Sequence, residues 1–406
     1  MTAPRSNMNM RRLTLCALTT GLLIVALGGR ASAYPQFQFS SGTTRCSQCH
    51  FDPAGGGLIT SWGRDEAGDT ISLGGDGAFL HGVWTPPSWL ALGADVRVAA
   101  PLVNISGGPD SPQIAVFPMQ ADAYARFAFG DQVSLYLQGG IRGDVGYDEN
   151  FSSRLDSVGE RLISNDHYLM WRPSATGPYL RIGKFFAPFG LRFVEHIFFV
   201  QRYTGFDLYN ETYNVSGGYV AEGWEAHVTA FTPPPTSFPD GLQSVAPASW
   251  RQSGGVAYAE KRFNQMAMLA LQTRIGTSSE ATTYDGGAVG KLWLEPAKML
   301  ALGEADYIRK VVPVGSGSFG VNQFVSYLGA TFFPVRGLMA GVAYERFQED
   351  LALQGTGRNA VDAEVNFFPW AHFEVLAFGR YQFFGPSAPA DSASASLFML
   401  QLHYYL

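Results

Sequence analysis

The chain has 406 residues, 46% of them hydrophobic and 15% charged, with a formal net charge of −6. That acidic balance argues against nucleic acid as a partner. No run after residue 33 is long and apolar enough for a spanning helix, which needs ~20 residues.

Residues 1–33 have the three parts of an export signal. Arg11 and Arg12 form a positive start, Leu13 to Leu27 an apolar stretch, and Ala31-Ser32-Ala33 an A-x-A cleavage site. Removing them takes away four arginines and no acid, so the charge of the remaining 373 residues is −10. Cys16 lies in the apolar stretch and is expected to leave with it. Cys46 and Cys49 are then the only cysteines, in an oxidising compartment.

Residues 34–88 form the next expected unit. They contain "TTRCSQCHFDPAGGGLITSWGR", in which Cys46, Cys49 and His50 stand as C-x-x-C-H, the spacing of a c-type haem attachment site. Two thioethers would fix one porphyrin and His50 would supply the proximal nitrogen, making the cofactor a covalent haem c. A disulfide would not need the histidine, and zinc would need two more ligands. Gly55-Gly56-Gly57 permits a tight turn and close approach to a flat group, or is simply a flexible loop. Trp62 is a candidate to pack on the porphyrin and Arg64 to meet a propionate. His81 is the other histidine ahead of the strands and the candidate sixth ligand; the alternative is an open or water-filled position.

From residue 89 the pattern changes to period two. In 133–145, Val133, Leu135, Leu137, Ile141 and Val145 share one face, and Ser134, Tyr136, Gln138, Arg142 and Asp144 share the other. Asp122, Tyr124 and Arg126 oppose Ala121, Ala123, Ala125 and Phe127, and Asp362, Glu364 and Asn366 oppose Val361, Ala363, Val365 and Phe367. The last strand carries Phe398, Leu400, Leu402, Tyr404 and Leu406 on one face and Met399, Gln401 and His403 on the other. Sixteen such strands parse between 89–100 and 395–406. Their connections alternate between short ones, such as Gly130-Asp131 and Ala297-Lys298, and longer ones at 146–164, 187–213, 233–252 and 384–394. A soluble sandwich has no reason to sort its loops by side, whereas an outer-membrane barrel has short periplasmic turns and longer outer loops. The expected fold is therefore an all-β, sixteen-stranded antiparallel barrel over 89–406, polar toward a watery lumen and apolar toward lipid. Phe332, Phe333, Phe367, Phe368, Trp370, Tyr381 and Phe383 are expected in its aromatic girdles. The connection "APFGLRFVEHIFFVQRYTGFDLYNET" is too apolar to hang in water. Folded into the lumen, it would bring Arg192, Glu195, His196, Arg202, Asp207 and Glu211 to a constriction; the alternative is packing on the outer rim.

With "RIGKFFAPFGLRF", including Gly183, Lys184, Pro188, Phe189 and Gly190, residues 89 to 406 resemble the sixteen-stranded porin superfamily, which includes the phosphate-selective porins. "CSQCHFDPAGGGLITSWGR" resembles the monohaem segments of bacterial c-type cytochromes, and the combination resembles porin–cytochrome proteins of outer-membrane electron transfer. Two features depart from the porin pattern: acids and bases mix on the polar faces, and the chain ends in Leu406 where the family ends in Phe. The resemblance implies an outer-membrane location, contact with lipid, and a haem segment in the lumen or on the periplasmic side. It also implies a second redox carrier, such as a periplasmic or multihaem cytochrome, and leaves room for a homo-oligomer. One haem cannot cross an apolar band ~25 Å tall alone. Two other functions stay open. One is a diffusion porin whose haem segment plugs the barrel or senses redox state. The other is a peroxidase-like enzyme using an open sixth site with Asp52, Asp65, Glu66, Asp69 or His81.

Overall fold

The computed structural model describes residues 34–106, 112–142, 162–193, 195–207, 210–235, 250–385, 387 and 393–406. The export signal with Cys16, residues 146–161, 236–249, 386 and 388–392 of the predicted connections, and the face residues Asp144 and Val145 lie outside them, as does the Arg142 side chain.

Sixteen antiparallel strands close into a barrel among the described residues. They are β1 (Leu90–Ile105), β2 (Phe117–Phe129), β3 (Val133–Arg142), β4 (Leu162–Trp171), β5 (Gly177–Phe185), β6 (Thr212–Val220), β7 (Trp224–Thr232) and β8 (Ser253–Phe263). β9 (Ala267–Thr277), β10 (Thr282–Leu294), β11 (Met299–Val314), β12 (Gly317–Val335), β13 (Leu338–Gln348), β14 (Gly357–Trp370), β15 (Phe373–Phe384) and β16 (Ala395–Tyr405) complete it. Each strand pairs with its neighbours in sequence, and β16 closes on β1 from Asp95–Tyr405 to Ile105–Ala395. A two-residue stretch, Gln113–Ile114, extends β2 along β1 beyond a register shift. Closure leaves no unpaired strand edge, as a sheet in hydrocarbon requires.

The outward face is apolar and uncovered. Leu271 is 65% exposed and Leu328 66%, and Val215, Val228, Leu269, Val342 and Leu400 are exposed beside them. So many exposed apolar side chains round a closed sheet fit lipid rather than water. Val361, Val365 and Phe367 face out while Asp362, Asn366 and Phe368 are buried, as alternation requires. The girdle needs one correction for the same reason. Phe332, Phe367, Trp370 and Tyr381 are exposed, but Phe368 is buried and Phe333 packs against the interior core. Adjacent strand residues point to opposite faces. Trp89, Phe129, Trp171, Trp224 and Phe263 are further exposed aromatics at strand ends on the short-turn side.

A second difference lies between β11 and β12. The alternation suggests a gap from 312 to 321, yet the two strands stay paired to Val314–Gly317 and form a projecting hairpin.

Part of the lumen is filled by the chain itself. The connection from Phe186 to Glu211 folds into it, with the helix α1 (Phe199–Arg202) at its turn. Its Leu191, Phe193, Phe198, Phe199 and Val200 are buried against inward residues that include Tyr258, Leu300, Val325, Tyr327 and Phe378. Wall side chains take up the backbone: Gly190 N donates to Gln272 Oε1 at 2.7 Å, Leu191 N to Glu304 Oε2 at 2.7 Å, and Phe199 N to Glu345. These bonds satisfy amides that burial would otherwise leave unpaired.

Candidate functional site

The C-x-x-C-H motif sits in the other segment that fills the barrel. Cys46–Cys49 forms a single helical turn, and a second short helix spans Ser61–Glu66. Thr60 joins them: its N donates to Cys49 O at 2.8 Å, its hydroxyl donates to Gln48 O at 2.6 Å, and that hydroxyl accepts from Gly63 N at 3.1 Å. A Cβ at Gly63 would collide with the Cys49 carbonyl, so glycine permits this approach. His50 pairs with Ile59, and Phe51 N donates to Leu58 O at 3.2 Å, making a small hairpin. Gly55, Gly56 and Gly57 turn it with φ of 88°, 89° and 61°. The triplet is thus an ordered left-handed turn, and Gly57 abuts Tyr136 on the wall.

The segment is fastened to the barrel at the short-turn end. Leu73 N donates to Phe368 O at 2.9 Å, Gly337 N to Ile71 O at 3.0 Å, and Ala371 N to Gly74 O at 2.8 Å. Arg336 donates to the carbonyls of Ser72 and Gly68. Deeper in, Lys291 Nζ donates to Gln38 Oε1 at 2.6 Å, Leu58 N donates to Tyr136 Oη at 3.0 Å, and Arg181 of β5 pairs with Asp52. Arg192 of the inward connection donates to Ala54 O at 2.5 Å, so the two fillings meet inside the lumen.

Cys46, Cys49 and His50 all line one cavity, open over part of its boundary. Much of the wall is apolar: Phe37, Leu58, Ile59, Ala67, Ile71 and Phe368. Arg45 and Arg97 are its cations, and Asp95, His403 and Tyr34 belong to a buried polar cluster on it. Burial pushes the Cys46 thiol up and the Cys49 thiol up to about 12. Burial also lowers the pKa of His50, which is therefore a neutral imidazole at pH 7, and its Nδ1 is buried without a hydrogen-bond partner. The two cysteines are not joined. Among the described residues, no three His, Cys, Asp or Glu side chains converge on a metal position.

The residues that would hold a covalent haem are the two thiols at the attachment spacing and His50, in a largely apolar wall. The two arginines on that wall are already paired, Arg45 with Glu222 at 2.6 Å and Arg97 with Asp95 at 3.3 Å.

His81 is placed elsewhere. It lies exposed at the short-turn rim, 3.1 Å from Tyr404 Oη and edge-on to His372 at 4.9 Å, and does not line the cavity. Trp62 is exposed, and Arg64 donates to Leu92 O at 2.6 Å over the Phe79 ring, so neither reaches the cavity. Asp52, Asp65, Glu66 and Asp69 do not line it either. Arg181, Asp95, Arg97, Glu374 and His403 were not singled out by motif, because each is one polar residue among many on an inward strand face. Alternation places them inside but does not say which meet.

No family model matches this chain, and no curated protein matches its sequence. Solved structures do resemble it. The outer-membrane expressed OmpT of Vibrio cholerae aligns over 79% of this chain and 99% of its own, with a TM-score of 0.56 and 11% identity. OprB of Pseudomonas putida aligns over 78% and 94%, with a TM-score of 0.56 and 12% identity. An anion-selective porin from Comamonas acidovorans aligns over 78% and 99%, with a TM-score of 0.53 and 10% identity. At these identities the likeness is one of fold: this chain has the sixteen-stranded barrel of outer-membrane porins.

Proposed function

We propose that this protein is an outer-membrane barrel carrying one covalent haem c in its N-terminal segment, and that it passes electrons at the membrane. The observation that carries the reading is that Cys46, Cys49 and His50 all line one cavity inside the barrel. Bound there, the haem would supply reversible one-electron exchange at its iron. The chain's part is to hold, shield and orient. Cys46 and Cys49 would anchor the porphyrin and His50 would offer its nitrogen. Phe37, Leu58 and Phe368, on the cavity wall, would shield a group bound there from water.

The outer-membrane location rests on the lipid-ready outer face and on the porin fold. The fastening of residues 71–74 to the short turns supports a periplasmic side for the haem segment. From there a single haem does not bridge ~25 Å of hydrocarbon, so a second redox carrier, such as a periplasmic or multihaem cytochrome, docks at the mouth. The filled mouth also favours a second reading, a plug whose haem senses redox state.

Haem staining of a denaturing gel, with a pyridine haemochrome spectrum of purified outer membranes, tests the reading. A stained band at the mass of this chain is expected, with the stain falling in Cys46→Ala and in Cys49→Ala. A chain without covalent haem refutes it. Electron exchange with a soluble donor, unaccompanied by solute flux, separates the conduit from the plug.

A further inference from the structure

We infer that residues 79–89, which join the N-terminal segment to β1, form a strap that crosses the barrel rim and lies in the lipid head-group layer on the short-turn side. Its partner is the membrane surface. The inference rests on the outer-membrane reading above and is independent of the haem.

The course of the chain places the strap outside the wall. Residues 71–74 are bonded at the short-turn rim, to Gly337, Phe368 and Ala371. Gly75 then meets the exposed Trp370, where an added Cβ would lie 2.6 Å from the indole ring. The Ala78 carbonyl is 3.1 Å from His372 Nε2 in the turn between β14 and β15. His81 stands edge-on to the same histidine and 3.1 Å from Tyr404 Oη of β16. Tyr404 alternates in step with Leu400 and Leu402, which are exposed, so it belongs to the outer face. The strap ends at Trp89, which is exposed and stacks on Phe127 of β2 with ring centroids 6.4 Å apart. It therefore runs from the end of β14, past β16, to the start of β1.

Its chemistry suits a membrane interface. No Asp, Glu, Lys or Arg stands between Asp76 and Asp95. Val83 is 86% exposed, and Leu80 and Trp84 are exposed beside it. Tryptophan collects at membrane–water interfaces, because its ring is apolar while its N–H needs a wet partner. A stretch of backbone outside the sheet needs water within reach, which the head-group layer offers and hydrocarbon does not. The strap also continues the apolar outer face of the barrel without a break: Trp89 and Trp370 flank it. A water-soluble protein would have to reach round the rim into the plane of the bilayer to cover the same surface. Seated in lipid, the strap holds the exit of the N-terminal segment against the rim.

The test uses the full chain in vesicles of phosphatidylethanolamine and phosphatidylglycerol, with a nitroxide on Val83→Cys. Leu271→Cys, on the outer face, is the lipid reference, and Ser316→Cys, in the hairpin between β11 and β12, is the water reference. The unsubstituted chain is the blank; if it takes up label, Cys46→Ala and Cys49→Ala are added to all three. Relaxing agents are supplied on both sides of the bilayer. The Val83 label is expected to be relaxed strongly by a nickel chelate carried on a lipid head group. A water-soluble nickel chelate is expected to relax it several-fold less than the Ser316 label. Trp84→Asp puts a charge into the uncharged stretch and is expected to move the Val83 label toward the Ser316 value. A Val83 label as open to the water-soluble chelate as Ser316 overturns the inference, while a Leu271 label relaxed by oxygen keeps the membrane reading intact. An unmoved Val83 label in Trp84→Asp also overturns it, since bonds to the rim alone would then set the strap's position. A Leu271 label that oxygen does not reach refutes the membrane reading itself.

Discussion

Arg181 shows at the residue scale how the wall holds the motif. It is fully buried on β5, pairs with Asp52 two residues after His50, and lies over the Phe185 ring at 3.7 Å. Removing one partner of a buried pair leaves an uncompensated charge and costs ~3–5 kcal/mol. Arg181→Met is therefore expected to loosen the docking of residues 34–82 by about that much, read as faster proteolysis of the segment with the barrel intact. Adding Asp52→Leu should recover most of the loss, because both charges are then gone. Unchanged protection in the single variant would mean that Asp52 is well solvated without its partner.

At the scale of one element, β3 separates the two environments of the barrel. Leu137 is exposed on the outer face, while Gln138 next to it is buried and donates to Asp122 Oδ2 at 2.6 Å. Leu137→Arg is expected to cost ~2–4 kcal/mol in a bilayer if the position lies near the midplane, measured by folding into lipid vesicles. Gln138→Leu leaves Asp122 with Asn165 Nδ2 at 2.9 Å as its remaining amide donor from these two. The expected cost is ~1–3 kcal/mol, the same in detergent and in lipid, because the lost bond is internal. Equal behaviour of Leu137→Arg in the two media would argue that the outer face does not meet hydrocarbon.

For the whole molecule, the lumen is a shared interior built by three parts: the wall, the inward connection and the N-terminal segment. The connection packs its phenylalanines on the wall core, and Arg192 bonds it to the segment at Ala54. A chain starting at residue 89 is expected to fold as a barrel, since every strand pairing lies within it. It should conduct more than the full chain in planar bilayers, because residues 34–82 no longer occupy the short-turn mouth. Equal conductance would show that the segment does not limit passage.

The sequence by itself determined what depends on neighbours along the chain. The C-x-x-C-H spacing is local, and so is the period-two alternation that marks all sixteen strands and sorts their connections by length. Alternation also assigned each strand residue to one face, placing Leu137 outside and His403 inside. It could not assign partners across the barrel. Asp95, Glu374 and His403 lie on three strands, and Tyr34 reaches them from 340 residues before Glu374. Only closure of β16 on β1, with the N-terminal segment inserted, brings them to the wall that holds Cys46 and His50. His81 is near His50 in sequence, yet the chain between them is fastened to the short turns and carries it to the rim. The filling of part of the lumen by the chain is likewise a tertiary result: a polar inner face reads the same in sequence whether water or another segment of the chain covers it.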